Sequence, residues 1–135
     1  MSANFRFPST ERLKSRKIID ILFRDGRAYF MYPLRVHILS DDLLDTAPLQ
    51  VVFAVPKRKF RKAVDRNLIR RRMREAWRLN RKPLLDQLNS EQHVLRIMLT
   101  YTGKVEDTSY ARIFAATNKI ITRCINESGP ISEGE

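Results

Sequence analysis

Residues 65–77 read DRNLIRRRMREAW, and the fold and the chemistry of this chain both hang on that stretch. With Arg78 it holds six arginines in a run whose apolar residues recur at helical spacing. At about 100° per residue, Ile69, Met73, Ala76 and Trp77 fall on one side, flanked by Leu68 and Leu79. Arg66, Arg70, Arg71, Arg74 and Arg78 fall on the other, with Asn67 among them. The pattern predicts a helix over 63–80 that packs by one face and shows a guanidinium ridge on the other. Arg72 projects toward the edge of the apolar face, where its stem can lie on the core while its head reaches out. Like charges three and four apart on a helix repel by about 0.2–0.5 kcal/mol per pair, and only Asp65 and Glu75 are at hand to offset them. A charge of this density is matched from outside the chain.

The surrounding composition sharpens the point. The chain has 135 residues, 26 Lys and Arg against 15 Asp and Glu, and a formal charge of +11. Residues 57–82 contain 13 of the basic residues and two acids, so this window alone carries the whole excess and the remainder is neutral. That is the electrostatic footprint of a polyanion binder. A solvated helix face mixes signs, and this one does not. Arginine in place of lysine points the same way, because the planar fork meets phosphate oxygens two at a time and stacks on bases. A membrane surface is the weaker rival, since the apolar face of the helix is needed for the core. No helix-turn-helix, zinc-finger or zipper pattern accompanies the helix, and a short αβ domain with an open sheet face suits RNA better than DNA.

Outward from the helix, the chain reads as one domain over 1–135, with a core at about 12–126 and a polar, flexible tail at 127–135. Residues 1–14 form a lead-in that Phe5, Phe7 and Leu13 can pin to the body. Ser15 offers an N-cap and Gly26 a stop, which predicts a first helix over 16–25. Arg27 to Ser40 reads as strand, broken in two at Pro33. In its second half Leu34, Val36 and Ile38 alternate with Arg35, His37 and Leu39, giving one buried and one exposed face. DDLLD (41–45) is expected in a hairpin-like loop, LQVVFAV (49–55) as a strand, and PKRKFRK as a basic connection. Lys82-Pro83 is expected to close the arginine helix, with 84–91 a loop or short helical turn. HVLRIMLTY (93–101) reads as the last strand, followed by a helix over 109–126 capped by Asp107 or Thr108. The expected class is α+β, a two-layer α/β sandwich in the order α-β-β-β-α-β-α.

The single cysteine, Cys124, excludes an internal disulfide and a cysteine-based zinc site, and no apolar run is long enough to span a membrane. The N-terminus lacks an apolar signal core, so a cytoplasmic location is expected. No H-x-x-x-H, C-x-x-C or paired acidic motif resembles a metal-dependent nuclease site. The loop acids Asp41, Asp42 and Asp45 leave a protein-only nuclease as an alternative, although a solubilising turn explains them better. Cys124 and His93 carry no functional signal.

VPKRKFRKAVDRNLIRRRMREAW (55–77) resembles the protein subunit of bacterial ribonuclease P, in which a basic segment after a strand leads into a helix with the run R-N-x-x-(K/R)-R-x-x-R. Arg66, Asn67, Arg70, Arg71 and Arg74 stand in those places. RLKSRKIIDILFRDG (12–26) is similar to the family's opening segment, and the resemblance covers about 12–125. It departs at Leu68, where a further arginine is usual, at Arg72, where an apolar residue is common, at Ile19, which replaces an aromatic, and at His37, near a frequent tyrosine.

The resemblance implies a sandwich with an unusual left-handed β-α-β crossover, against the general right-handed rule. It also implies a hydrolase that is a ribonucleoprotein: a catalytic RNA with bound Mg²⁺ cuts the 5′ leader from precursor tRNA, while the protein docks on that RNA and holds the leader. No catalytic residue is then expected on this chain, and no small-molecule substrate or membrane partner. The expected RNA contacts are Lys57, Arg58, Lys59, Arg61, Arg66, Asn67, Arg70, Arg71 and Arg74. The expected leader contacts are Phe23, Ile19, Arg35 and His37, Arg35 and His37 sharing a strand face with Arg96; Phe23 reads equally as a core residue. The alternative is a non-enzymatic ribosomal or RNA-assembly protein using the same helix.

Overall fold

In the computed structural model, which describes residues 9–42 and 47–127, the alternating segments assemble into a four-stranded sheet. Strands β1 (Arg27–Met31) and β2 (Leu34–Asp42) form an antiparallel hairpin about Tyr32 and Pro33, whose peptide bond is cis. β4 (His93–Tyr101) pairs antiparallel with β2 and parallel with β3 (Leu49–Ala54), so the sheet order is β1-β2-β4-β3. β2 and β3 are therefore not the hairpin neighbours expected about 41–45: β4 lies between them, and Asp41 and Asp42 belong to β2. Asp45, the lead-in aromatics Phe5 and Phe7, and the tail beyond Glu127 lie outside the described residues.

Helix α1 (Arg16–Asp25) starts where Ser15 Oγ accepts the Ile18 amide at 3.3 Å, a cap contributing about 1 kcal/mol, and ends at Gly26, whose amide donates to the Leu22 carbonyl. Helix α2 (Ala63–Asn80) is the arginine helix. A ten-residue helix, α3 (Lys82–Glu91), corrects the loop or turn expected over 84–91 and inserts a helix into the expected order. Proline lacks only an N–H that a first helical turn leaves unbonded, so Pro83 opens this helix as readily as it would close another. Leu84 and Leu88, one turn apart, bury its inner side, and Gln92 in the left-handed conformation (φ 53°) ends it. Helix α4 (Tyr110–Glu127) is capped by Ser109, whose Oγ accepts the Arg112 amide, not by Asp107 or Thr108. Thr108 Oγ donates to the Val105 carbonyl instead, and Asp107 accepts from Tyr32.

The main core lies between one sheet face and α2, α3 and α4, with Leu34, Val36, Ile97 and Leu99 meeting Met73, Trp77 and Ile113 at zero exposure. α1 packs on the opposite face, where Leu13 and Leu22 meet Met98, with Ile18, Ile19, Leu39 and Val52 around them. The parallel β3–β4 pair, joined through α2 and α3, is the β-α-β unit to which the implied left-handed crossover refers.

Candidate nucleic-acid interface

The arginine helix turns its apolar side inward as its periodicity requires: Ile69, Met73, Ala76 and Trp77 are buried. The guanidinium groups on the other side do different jobs. Arg66 Nη1 donates to the carbonyls of Phe60 and Arg61, both at 2.8 Å, so this arginine staples the basic connection to the first turn of α2. Arg70 Nη1 donates to Asn67 Oδ1 at 2.9 Å, which gives Asn67 a local task as an orienting acceptor. Arg78 forms a two-point pair with Glu75, at 2.7 and 3.1 Å, and is spoken for within the helix. Arg72 reaches the Thr108 carbonyl at 2.6 Å, half-buried at the margin of the core. Arg71 and Arg74 make no hydrogen bond or ion pair among the described residues. Partial burial and the nearby Arg12 and Arg70 guanidiniums lower the Arg74 pKa, although an arginine remains charged at neutral pH.

The connection continues the charge. Lys57, Arg58, Lys59 and Arg61 are exposed, while Phe60 turns inward and meets the Tyr101 ring edge-on, 5.6 Å between centroids. Lys59 Nζ donates to the Thr102 carbonyl at 3.1 Å, which ties the connection to the end of β4. Between this connection, α2 and residues 105–108 runs a groove of about 370 Å³, lined by Lys59, Arg61 and Lys62 together with Leu68 and Val105. Leu68, the residue standing where a further arginine is usual, thus gives this groove an apolar wall.

The leader candidates fall on the sheet face that α1 only partly covers. Register places Arg35 opposite Thr100, His37 opposite Met98 and Leu39 opposite Arg96, so the three expected polar residues do share one face. They are not equally open. His37 is buried, contrary to the exposed strand face its alternation suggests, because α1 lies over it: the Phe23 ring sits 5.1 Å from the imidazole. Its Nδ1 has no partner among the described residues, and burial, aided by the Arg35 charge, lowers its pKa. Arg96 is also buried and donates to Gln50 Oε1 at 3.3 Å. Ile19 packs into the small cluster beneath α1. Phe23, 64% exposed, is a surface ring and not a core residue.

A second exposed ring, Phe30, escaped the sequence reading. It lies beneath the Arg35 guanidinium, 4.8 Å from its ring centroid. Its only sequence signal is alternation with Tyr29 and Met31, which is uninformative until the β1–β2 register is known. Phe23 and Phe30 thus offer exposed rings on this face, the first backed by buried His37 and the second by the Arg35 guanidinium, a surface suited to stacking unpaired bases. At the other end of the sheet, a cleft of about 520 Å³ is bordered by Arg27, Glu127 and the hydrogen-bonded pair Ser40 and His93, far along the strands from the basic connection. Among the described residues no three His, Cys, Asp or Glu side chains gather as a metal site, and no helix is long and apolar enough to cross a membrane.

Comparison with known proteins agrees with this arrangement. The family model described as Ribonuclease P matches residues 7–125. Two curated relatives, each called "Ribonuclease P protein component" and both from strains of Porphyromonas gingivalis, are 39% identical over 90 and 88 residues. Those segments are 67% and 65% of this chain and 66% and 64% of the relatives, so the match spans just under two thirds of their length. The solved structure of the Staphylococcus aureus RNase P protein superposes with a TM-score of 0.65 at 16% identity, over 84% of this chain and 94% of that one, which shows a shared fold. A mutant of the same protein, described as having defective mRNA degradation activity, gives a TM-score of 0.63 at 14% identity, over 85% and 88%. With the family's pattern running through the strand, the basic connection and the helix that the structure brings together, this chain belongs to the ribonuclease P protein family.

Proposed function

We propose that this chain is the protein subunit of a ribonuclease P holoenzyme, which removes the 5′ leader from precursor tRNA in the cytoplasm. The observation that carries the reading is the pair Arg71 and Arg74, uncommitted on the outer side of α2 within a patch that holds the whole charge excess of the chain. Phosphates of a catalytic RNA are the complement of that ridge, each neutralised phosphate releasing condensed counterions. Lys57, Arg58, Lys59 and Arg61 extend the docking surface along the connection that Arg66 holds in place. Asn67 orients Arg70 toward the same RNA. The single-stranded leader lies on the sheet face, its bases against Phe23 and Phe30 and its backbone near Arg35. His37 and Ile19 support that surface from beneath.

Hydrolysis needs Mg²⁺, and the described residues offer no cluster of carboxylates to hold it. On this reading the metal belongs to the RNA, and the chain contributes substrate affinity and orientation. About five neutralised phosphates would make log K fall by roughly 3.5–4.5 per decade of salt.

The test is precursor-tRNA cleavage at low Mg²⁺ with the protein alone, a bacterial ribonuclease P RNA alone, and both together. Cleavage at the mature 5′ end that depends on both components is expected. Cleavage by the protein alone would overturn the reading and turn attention to Asp41, Asp42 and Asp45. RNA binding without any change in cleavage would favour a non-enzymatic RNA-assembly protein.

A further inference from the structure

Outside α2, another arginine reaches the same surface. Residues 9–11 form a short 3-10 turn, after which the chain runs beside the outer edge of β3. Arg12 pairs in parallel with Val51, and the Leu13 amide donates to the Val51 carbonyl at 2.9 Å. Bridge partners point to the same side of a sheet. Val51 belongs to the core beneath α2, so Arg12 projects on the α2 side at the sheet's edge, while Leu13 enters the cluster under α1. The segment is anchored just upstream: the Glu11 carboxylate meets Arg81 Nε at 2.6 Å, buried at the junction of α2 and α3. The outcome is an exposed arginine, from a part of the sequence outside the basic window, brought to the flank of the arginine helix. Its charge is felt at Arg74, as is that of Arg70.

Three like charges converging from two chain segments are unfavourable in the isolated protein. A polyanion laid across them removes that cost. We propose that Arg12 is part of the RNA-docking surface, and that with Arg70 and Arg74 it binds one stretch of RNA backbone where α2 meets the edge of β3. The inference rests on the subunit reading above and adds a contact that the basic helix and its connection do not contain. The ligand chemistry is the phosphodiester backbone, which either the catalytic RNA or the precursor tRNA can supply.

The experiment measures two affinities over a salt series: that of the chain for the catalytic RNA alone, and that of the assembled holoenzyme for precursor tRNA. The chains compared are wild type, Arg12→Gln, Arg12→Lys and Arg74→Gln. Arg12→Gln is expected to weaken one affinity about 3–10-fold at 0.15 M salt and to lower its log–log slope by about 0.7–0.9, as loss of one phosphate contact should. Arg12→Lys should restore most of the slope. A change in the first affinity assigns the backbone to the catalytic RNA, and a change in the second alone assigns it to precursor tRNA. Should Arg12→Gln fold poorly, phenylglyoxal modification of the wild-type chain reads the same contact, with Arg12 protected in the complex. Unchanged slopes for Arg12→Gln, or an Arg12 equally reactive free and bound, would overturn the inference. If Arg74→Gln is silent as well, the docking role of α2 falls with it; if Arg74→Gln alone responds, only the role of Arg12 falls.

Discussion

Replacing Glu11 by Gln is the severest single test of how this fold is held together. The Glu11–Arg81 pair is 2.6 Å long, and its side chains are only 7% and 4% exposed. Removing one partner of such a pair strands the other charge in a poorly hydrated place, at a cost of about 3–5 kcal/mol. Arg81 makes further contacts, and the glutamine amide can still accept one hydrogen bond, so the expected loss is about 3 kcal/mol. Against a total stability of ~5–15 kcal/mol this is a large fraction. With a urea slope near 2 kcal/mol/M, the midpoint should fall by roughly 1.5 M. The exposed pair Lys82–Asp86, at 3.2 Å with side chains 50% and 59% exposed, is the control. Asp86→Asn should cost under ~1 kcal/mol. The assay is urea unfolding followed by Trp77 fluorescence, and the apolar double replacement Glu11→Leu with Arg81→Met should recover most of the loss. If Glu11→Gln costs no more than Asp86→Asn, the pair is hydrated in solution and the anchoring of residues 9–13 is wrongly understood.

Three further outcomes are expected. Arg66→Lys keeps the charge but loses the Nη1 group that serves both carbonyls, so amide exchange over residues 57–61 should speed about tenfold; an effect no larger than that of Arg71→Lys would refute the staple. The folded-state pKa of His37 lies below its ordinary value of about 6.5, so its contribution to stability is intact above that pH and is lost as pH falls toward the lowered value. Wild type should therefore lose stability relative to His37→Phe as pH falls below about 6.5, and a relative gain on acidification would contradict the buried, unpartnered ring. Burial pushes the Cys124 thiol up to about 11, so alkylation at pH 8 should be very slow in the native protein and rapid in urea; fast native labelling would show that the α4 face opens.

Much of the fold was legible because local signals agreed. Ser15 and Gly26 bounded α1 to the residue, and the apolar period of 63–80 did the same for α2. Alternation located β2, the break at Pro33 set it apart from β1, and apolar β-type runs located β3 and β4. α2 does end just before Lys82-Pro83, but the loop or turn expected over 84–91 was misjudged, since the same ring also begins the next helix and only the burial of Leu84 and Leu88 reveals it. His37 alternates as an exposed residue and is buried nonetheless, because the helix covering it is folded back from elsewhere in the chain.

Sequence alone determined the charge, its confinement to one window, and the division of α2 into an apolar and a basic side, for each of these depends on residues within a few turns of one another. It also sufficed for the family, whose pattern is carried in one continuous run. Tertiary structure decided which arginines are free. Arg66 is occupied by carbonyls five and six residues before it, Arg72 by a carbonyl from residue 108, and Arg71 and Arg74 by nothing among the described residues. It also placed β4 between β2 and β3, and thereby the rings of Phe23 and Phe30, with Arg35, on one open face. The reason is physical: periodicity fixes the side of its own element on which a residue lies, whereas its neighbours across the core come from distant segments that are paired only when the chain folds.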